Sequence, residues 1–182
     1  MAIDAQPLQI VKYPDPALRV RCARVTVFDA QLESIARQMF ELMRAARGVG
    51  LAAPQVGLTM RMFVMNPTGE SADDLVIVNP EIRDLANYKE AEEGCLSIPE
   101  LHVQVRRGGR CTLRAQDVHG TPIELEAEEL PARIWQHETD HLDGMMIIDR
   151  MGPGDKIATK VRLRELEADW VQKTGKKLPK RP

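Results

Sequence analysis

In Arg133-Ile134-Trp135-Gln136-His137-Glu138-Thr139-Asp140-His141-Leu142-Asp143-Gly144, two histidines stand four residues apart. On a helix this spacing projects both rings from one face, one turn above the other. Two imidazoles so placed can share a divalent metal, and Glu138, one step round, can reach a water that the metal activates. A metal with a positioned carboxylate suits hydrolysis of an amide. A solvated helix carrying two histidines is the plain alternative. The third ligand has to decide between them.

Three sources of that ligand exist in the sequence. One His-Glu-x-x-His pattern continues to a third histidine, but Ile147 occupies its place here. Glu165 or Glu167 could serve, although both fall on the charged outer side of a helical pattern. Glu93-Gly94-Cys95-Leu96-Ser97-Ile98-Pro99 offers a better donor. Glycine admits close approach, and a thiolate suits a borderline-soft metal. A second small-residue stretch, Gly48-Val49-Gly50-Leu51-Ala52-Ala53-Pro54-Gln55-Val56-Gly57, has Gln55 as its one side-chain amide. It reads equally as a tight connection or as a loop lining a site.

The elements that must position these residues follow from periodicity. Phe28, Leu32, Ile35, Met39, Leu42, Met43 and Ala46 recur at helical steps, predicting a long helix over residues 26–47. Thr26 with Asp29 resembles a capping box, and Gly48 supplies the stop. Residues 8–18, with Tyr13-Pro14-Asp15-Pro16, should be extended or turn-like. Residues 61–65 and 75–79 read as strands, with Asn79-Pro80 closing the second as a turn. Alternation at Leu101/Val103/Val105, Cys111/Leu113/Ala115 and Ile123/Leu125/Ala127 predicts an antiparallel meander turning at Arg107-Gly108-Gly109 and at His119-Gly120. Cys111 then falls on a core position, and His119 belongs to its turn. The metal helix holds Pro131 in its first turn and ends at Gly144, with Leu130, Ile134, His137 and His141 on one side. Residues 145–148 read as a short buried strand. Residues 157–171 read as a second amphipathic helix with Val161 and Leu166 inward. The tail, 173–182, carries five basic residues and reads as a frayed end.

Bulk numbers narrow the class. A chain of 182 residues fits one domain, residues 1–182, with no linker or internal repeat to split it. Its net charge of −2 gives no case for DNA or an anionic membrane as partner. No apolar run approaches the ~20 residues of a membrane span. Residues 1–16 do not read as an export signal, and three cysteines suit free thiols in a reducing compartment. The expectation is a cytoplasmic protein.

Gly48-Val49-Gly50-Leu51-Ala52-Ala53-Pro54-Gln55, Glu93-Gly94-Cys95-Leu96-Ser97 and Gln136-His137-Glu138-Thr139-Asp140-His141-Leu142 resemble, in order and spacing, the three signature motifs of peptide deformylases. The resemblance runs from about Leu8 to Asp149. It implies an α+β fold, with antiparallel β-sheets packed around a central metal-binding helix, an N-terminal long helix and a C-terminal helix. It implies Cys95, His137 and His141 as ligands of Fe²⁺, or of Zn²⁺, Ni²⁺ or Co²⁺ in its place. The reaction implied is removal of formate from the N-formylmethionine of a new polypeptide. Glu138 would act as general base then acid, with the Gln55 amide and the Leu96 backbone N–H as oxyanion donors. Val49, Gly50, Glu93, Gly94, Leu130 and Ile134 would meet the substrate, and Glu93 would also tie to an arginine and brace the Cys95 loop. Two positions depart from many relatives: His102 stands where an arginine is common, and Arg133 where some carry an apolar pocket residue. The family's work on nascent chains makes the ribosome a partner for the basic tail. Competing readings are a zinc peptidase acting on internal bonds and a metal-holding protein without catalysis. Glu138 argues against the last, since holding metal does not require it.

Overall fold

The computed structural model describes residues 7–179. In chain order the elements are α1 (Ala30–Ala45), β1 (Gly50–Ala52), β2 (Met62–Met65), β3 (Leu75–Ala86), β4 (Lys89–Cys95), β5 (Ile98–Arg107), β6 (Arg110–Gln116), β7 (Pro122–Glu128), α2 (Glu129–Leu142), α3 (Ile147–Arg150), α4 (Pro153–Ala158) and α5 (Lys160–Thr174). Five strands form an antiparallel sheet in the order β1-β2-β3-β6-β7, while β4 and β5 pair as a separate ribbon. This is the α+β arrangement expected, with α2 between the sheets and α5 at the C-terminal end.

β2 shows why the core has two sides. Its four residues are all buried, and successive side chains point to opposite faces. Met62 and Val64 join Leu32, Ile35, Met39 and Met43 of α1. Phe63 and Met65 join Ala132, Ile134 and Trp135 of α2. The buried face of the β4–β5 ribbon packs in a separate cluster, where Ile98, Leu101, Val103 and Val105 lie on Ile147, Leu163 and Leu166. No helix among the described residues is long and apolar enough to cross a membrane.

Several expected boundaries move. α1 begins at Ala30, because the Asp29 carboxylate alone accepts from the N–H groups of Gln31 and Leu32 at 3.1 and 3.0 Å. Thr26 makes no cap. At the other end Arg47, at φ 55°, takes the left-handed position, and the Gly48 N–H closes back on the Met43 carbonyl. Asn79-Pro80 is a bulge inside β3, which continues to Ala86. Asn79, at φ 54°, holds the Val25 N–H and carbonyl with its side-chain amide, so a turn signal became a strap.

The predicted meander is wrong at its first joint. β5 does not pair with β6; it pairs with β4, and β6 lies between β3 and β7. Gly108-Gly109 is a crossing between sheets: Gln136 of α2 clamps both backbone groups of Gly108, and the Gly109 N–H donates to Asn87. Residues 145–148 are not a strand either, since Asp149 captures the Met146 N–H at 2.7 Å and starts the one-turn α3. The predicted helix over 157–171 is two helices, broken at Thr159. Leu163, Leu166 and Trp170 face inward, whereas Ile157 and Val161 are 78% and 67% exposed. Of the basic tail, residues 180–182 lie outside the described residues, as do residues 1–6 of the segment judged against an export signal.

Asp29→Ala should cost about 1 kcal/mol in urea unfolding followed by circular dichroism. Thr26→Ala should stay within ~0.5 kcal/mol of wild type. Equal losses for the two would restore the capping box.

Candidate metal centre

α2 runs four turns beneath the β4–β5 ribbon, and its His137 and His141 rings sit with centroids 5.0 Å apart. Cys95 ends β4, where the pairing with β5 shifts register and turns the chain towards α2. Cys95 Sγ lies 3.3 Å from His141 Nε2, which lies 3.2 Å from His137 Nε2. Among the described residues these are the three that could hold a metal ion, all donor atoms lying within 4.8 Å of one another. Glu167 is elsewhere, accepting the Tyr13 hydroxyl at 2.6 Å, and neither it nor Glu165 joins the group.

The donor set fits a cation. His137 Nδ1 meets the Glu93 carboxylate at 3.0 Å, so with a cation bound that nitrogen would keep the proton and Nε2 would be free to ligate. Burial opposes charge on His137, but the hydrogen bonds to Cys95 and Glu93 outweigh it and raise its pKa well above the ordinary value. Burial, reinforced by the His137 charge, pushes His141 well below. The pocket thus favours one positive charge shared among these atoms. A thiolate and two imidazole nitrogens are donors for Zn²⁺ or Fe²⁺.

Glu93 anchors the arrangement. Arg107 grips its carboxylate through Nε (2.7 Å) and Nη2 (3.0 Å), and Arg133 adds a bond of 2.6 Å. Burial alone would raise the Glu93 pKa; the bonds from His137 and Arg107 win and hold it well below the carboxylate range. Arg107 also donates to Asp140 at 2.8 Å, which Arg150 holds from the far side.

Glu138 is 4% exposed, and its Oε2 has no partner. Burial is the main cause that lifts its pKa to about 7, against the opposing charges of His137 and Arg107. A Cβ at Gly50 would collide with Glu138 Oε1, and one at Gly48 would lie 2.6 Å from Leu96 Cδ1. The two glycines therefore let the loop close over Glu138 and over Leu96.

Gln55 is buried on a short 3-10 turn (Ala53–Val56). Its Oε1 accepts from the Ala52 N–H at 2.8 Å, which fixes the amide orientation and aims Nε2 at Ser97 Oγ (3.2 Å) and Cys95 Sγ (3.6 Å). A cavity of about 570 Å³ opens over these groups. Val49, Gly50, Gly94 and Leu96 line it with Leu130 and Ile134, and both His137 and Glu138 open into it. His102 lies on its wall, paired with Gly94 across the ribbon. Glu93 also borders the cavity, although its carboxylate is committed to two arginines and a histidine. Cys111 and Cys22 are buried thiols raised to about 11 by burial, away from this group. His119 is exposed beside Glu33, 3.5 Å away, and takes no part.

Sequence reading missed Lys12, Ser97, Arg107 and Asp140. Lys12 Nζ donates to the Leu96 carbonyl at 2.6 Å, and burial lowers its pKa against the pull of Cys95. For Arg107 a signal existed: Leu101, Val103, Val105 and Arg107 continue one alternation, so the arginine had to be buried and paired.

Two outcomes follow from this geometry. Zn²⁺ or Ni²⁺ at a hundredfold excess over its Kd should stabilise the metal-free protein by ~2.7 kcal/mol in thermal melts, and Cys95→Ala should erase the shift. The Glu138 carboxyl, raised from 4.5 to about 7 in the fold, favours folding fully below about pH 4.5 and loses that contribution as pH rises through about 7. Metal-free Glu138→Gln should therefore match wild type near pH 4.5 and exceed it by ~3 kcal/mol at about pH 8 in urea unfolding. Parallel stability curves for the two proteins would contradict the raised pKa.

Comparison with known proteins shows which family the chain falls in. The chain is 40% identical over 180 residues to "Peptide deformylase 1B, chloroplastic/mitochondrial" of Arabidopsis thaliana, covering 96% of this chain and 65% of that protein. It thus spans slightly less than two thirds of the plant relative's length. A "Peptide deformylase" of Rhodopirellula baltica is 43% identical over 171 residues, covering 93% and 85% of the two chains. The crystal structure of a plant peptide deformylase 1B superposes with a TM-score of 0.94 at 38% identity, covering 100% of each chain. The polypeptide deformylase family pattern matches residues 7–156, and the chain belongs to that family.

Proposed function

We propose that this protein hydrolyses the N-formyl group of formylmethionine at the start of newly made polypeptides, releasing formate and a free α-amino group. The observation that carries the reading is Glu138: a buried carboxylate with an unpartnered oxygen, a pKa of about 7, and a metal-ligand histidine beside it in the chain. A group poised near neutrality can both accept and return a proton.

Cys95 Sγ and the Nε2 atoms of His137 and His141 would hold one divalent cation, Fe²⁺ first, with Zn²⁺, Ni²⁺ or Co²⁺ able to replace it. When bound, such an ion supplies Lewis acidity, polarising a carbonyl and lowering the pKa of water towards neutrality. Glu138 takes a proton from the attacking water and later delivers it to the amine nitrogen as the C–N bond breaks. Gln55 Nε2 and the Leu96 N–H donate to the oxyanion. The Gln55 amide now spends one hydrogen on Cys95 Sγ at 3.6 Å, and sulfur is a weak acceptor that is cheaply exchanged for a developing negative charge on oxygen.

The cavity of about 570 Å³ exceeds a methionine side chain, so it also admits the peptide backbone that follows. Val49 and Leu130, both partly exposed, and buried Ile134 offer apolar surface for the methionine. Size selection there is worth about 1–3 kcal/mol per methylene. His102, shorter than arginine, meets the peptide from the ribbon side. A cytoplasmic setting suits the three free thiols. Contact with the ribosome rests on the basic tail alone.

Anaerobically purified, Fe²⁺-loaded protein should release formate from a formyl-Met peptide while leaving unformylated peptides intact. Glu138→Gln should keep its metal and lose nearly all activity, and Gln55→Ala should lose about 10²–10³ in kcat. Cleavage of internal peptide bonds instead would favour the peptidase reading.

A further inference from the structure

Arg133, His137 and Asp140 stand at i, i+4 and i+7 on α2, so they share one face. That face meets an alternating row of charges: Arg133, Glu93, Arg107, Asp140, Arg150. Neither Arg107 nor Arg150 lines the cavity. Arg133 does: it lines the cavity beside Leu130 and Ile134. Its guanidinium reaches three acceptors at once, Glu93 Oε1 at 2.6 Å, the Val105 carbonyl at 3.0 Å and the Lys89 carbonyl at 3.1 Å. The last two belong to β5 and β4, so one side chain rivets both strands of the ribbon to α2.

The substrate cavity lies between those same elements, with α2 on one side and the ribbon on the other. We infer that Arg133 is a positioning residue that sets the gap between α2 and the ribbon, and with it both the width of the side-chain pocket and the lock of Glu93 on His137. The inference rests on the deformylase reading for its substrate, but the lock is a property of the chain itself. A planar fork is required because three acceptors on two strands must be met together; an ammonium supplies charge without that reach. Charge and geometry can therefore be separated by substitution.

Arg133→Lys keeps a cation beside Glu93 and loses the rivet. It should release Zn²⁺ to a chelator within about threefold of the wild-type rate, because partners of a ligating histidine matter through the charge that orients it. Its preference for formyl-Met over formyl-Ala peptides, as a ratio of kcat/KM, should fall about tenfold, mainly through KM. Arg133→Leu loses both functions, so metal release should also accelerate about 10–100-fold. Thermal melts of the Zn²⁺-loaded variants identify any that fail to fold, and the lysine variant then carries the test. Wild-type side-chain preference in Arg133→Lys, or wild-type metal release in a folded Arg133→Leu, overturns the inference. If wild type releases no formate, the reaction assigned above fails while the metal-release comparison still decides the lock.

Discussion

One buried guanidinium joins the parts that make the site. Arg107 is 4% exposed and lies between two carboxylates, Glu93 on β4 and Asp140 on α2. The metal donors come from those same two elements, Cys95 from β4 and the histidines from α2. Apolar packing would hold the elements together without fixing their register, because it has no direction. Forked hydrogen bonds fix it. Burying the charges is costly, and the mutual attraction of such a row only offsets that cost when every lone pair is met. Here Arg133 and Arg150 complete the outer sides, which leaves neither carboxylate short of partners.

The row also governs the proton chemistry. Glu93 stays ionised and holds the proton on His137 Nδ1, which leaves Nε2, on the side of Cys95 and His141, as the nitrogen that would bind a metal. Glu138, next in the chain, opens into the same cavity, and its Oε2 meets no donor. Two carboxylates within one cluster are thereby driven in opposite directions, one by hydrogen bonds and one by burial. Under the function proposed, that separation suits Glu93 to orienting His137 and Glu138 to exchanging protons.

What the sequence disclosed depended on the range of the interaction. The four-residue spacing of His137 and His141 is a helical fact, legible without any partner, whereas the small-residue stretch around Gly50 reads equally as a tight connection, since its approach to Glu138 is a tertiary fact. Cys95 became a ligand candidate through its motif, since nothing local to Gly94-Cys95 says that α2 lies 3.3 Å away. The errors have the same origin. Alternation in residues 101–105 and 111–115 shows two half-buried strands, yet it cannot say that Gly108-Gly109 carries the chain from one sheet to another. β4 escaped notice because Lys89, Glu90, Glu92 and Glu93 hide a strand whose stability comes from its pairing with β5 and from arginines elsewhere. Ile157 and Val161 fit a helical stripe, but the stripe that packs is Leu163, Leu166 and Trp170. An apolar residue on a helix does not declare which neighbour arrives.

Gln55 and Leu96, the donors proposed for the oxyanion, show how far from the site its geometry is determined. Three consecutive residues of the N-terminal segment sew the two donor loops together: the Val11 N–H donates to the Gln55 carbonyl at 2.9 Å, Lys12 Nζ to the Leu96 carbonyl at 2.6 Å, and the Tyr13 N–H to the Ser97 carbonyl at 2.8 Å. Gln55 and Leu96 are therefore spaced by one strap rather than by their own loops. The strap is pinned in turn by the Tyr13 hydroxyl on Glu167 of α5, a helix that contributes nothing to the cavity over the metal donors. Preorganised donors lower a barrier only if they need not move when charge develops. In this chain that rigidity is supplied by a helix whose own buried face is three residues, Leu163, Leu166 and Trp170. The C-terminal helix thus helps to set the spacing of Gln55 and Leu96 through tyrosine and strap, without lining the cavity.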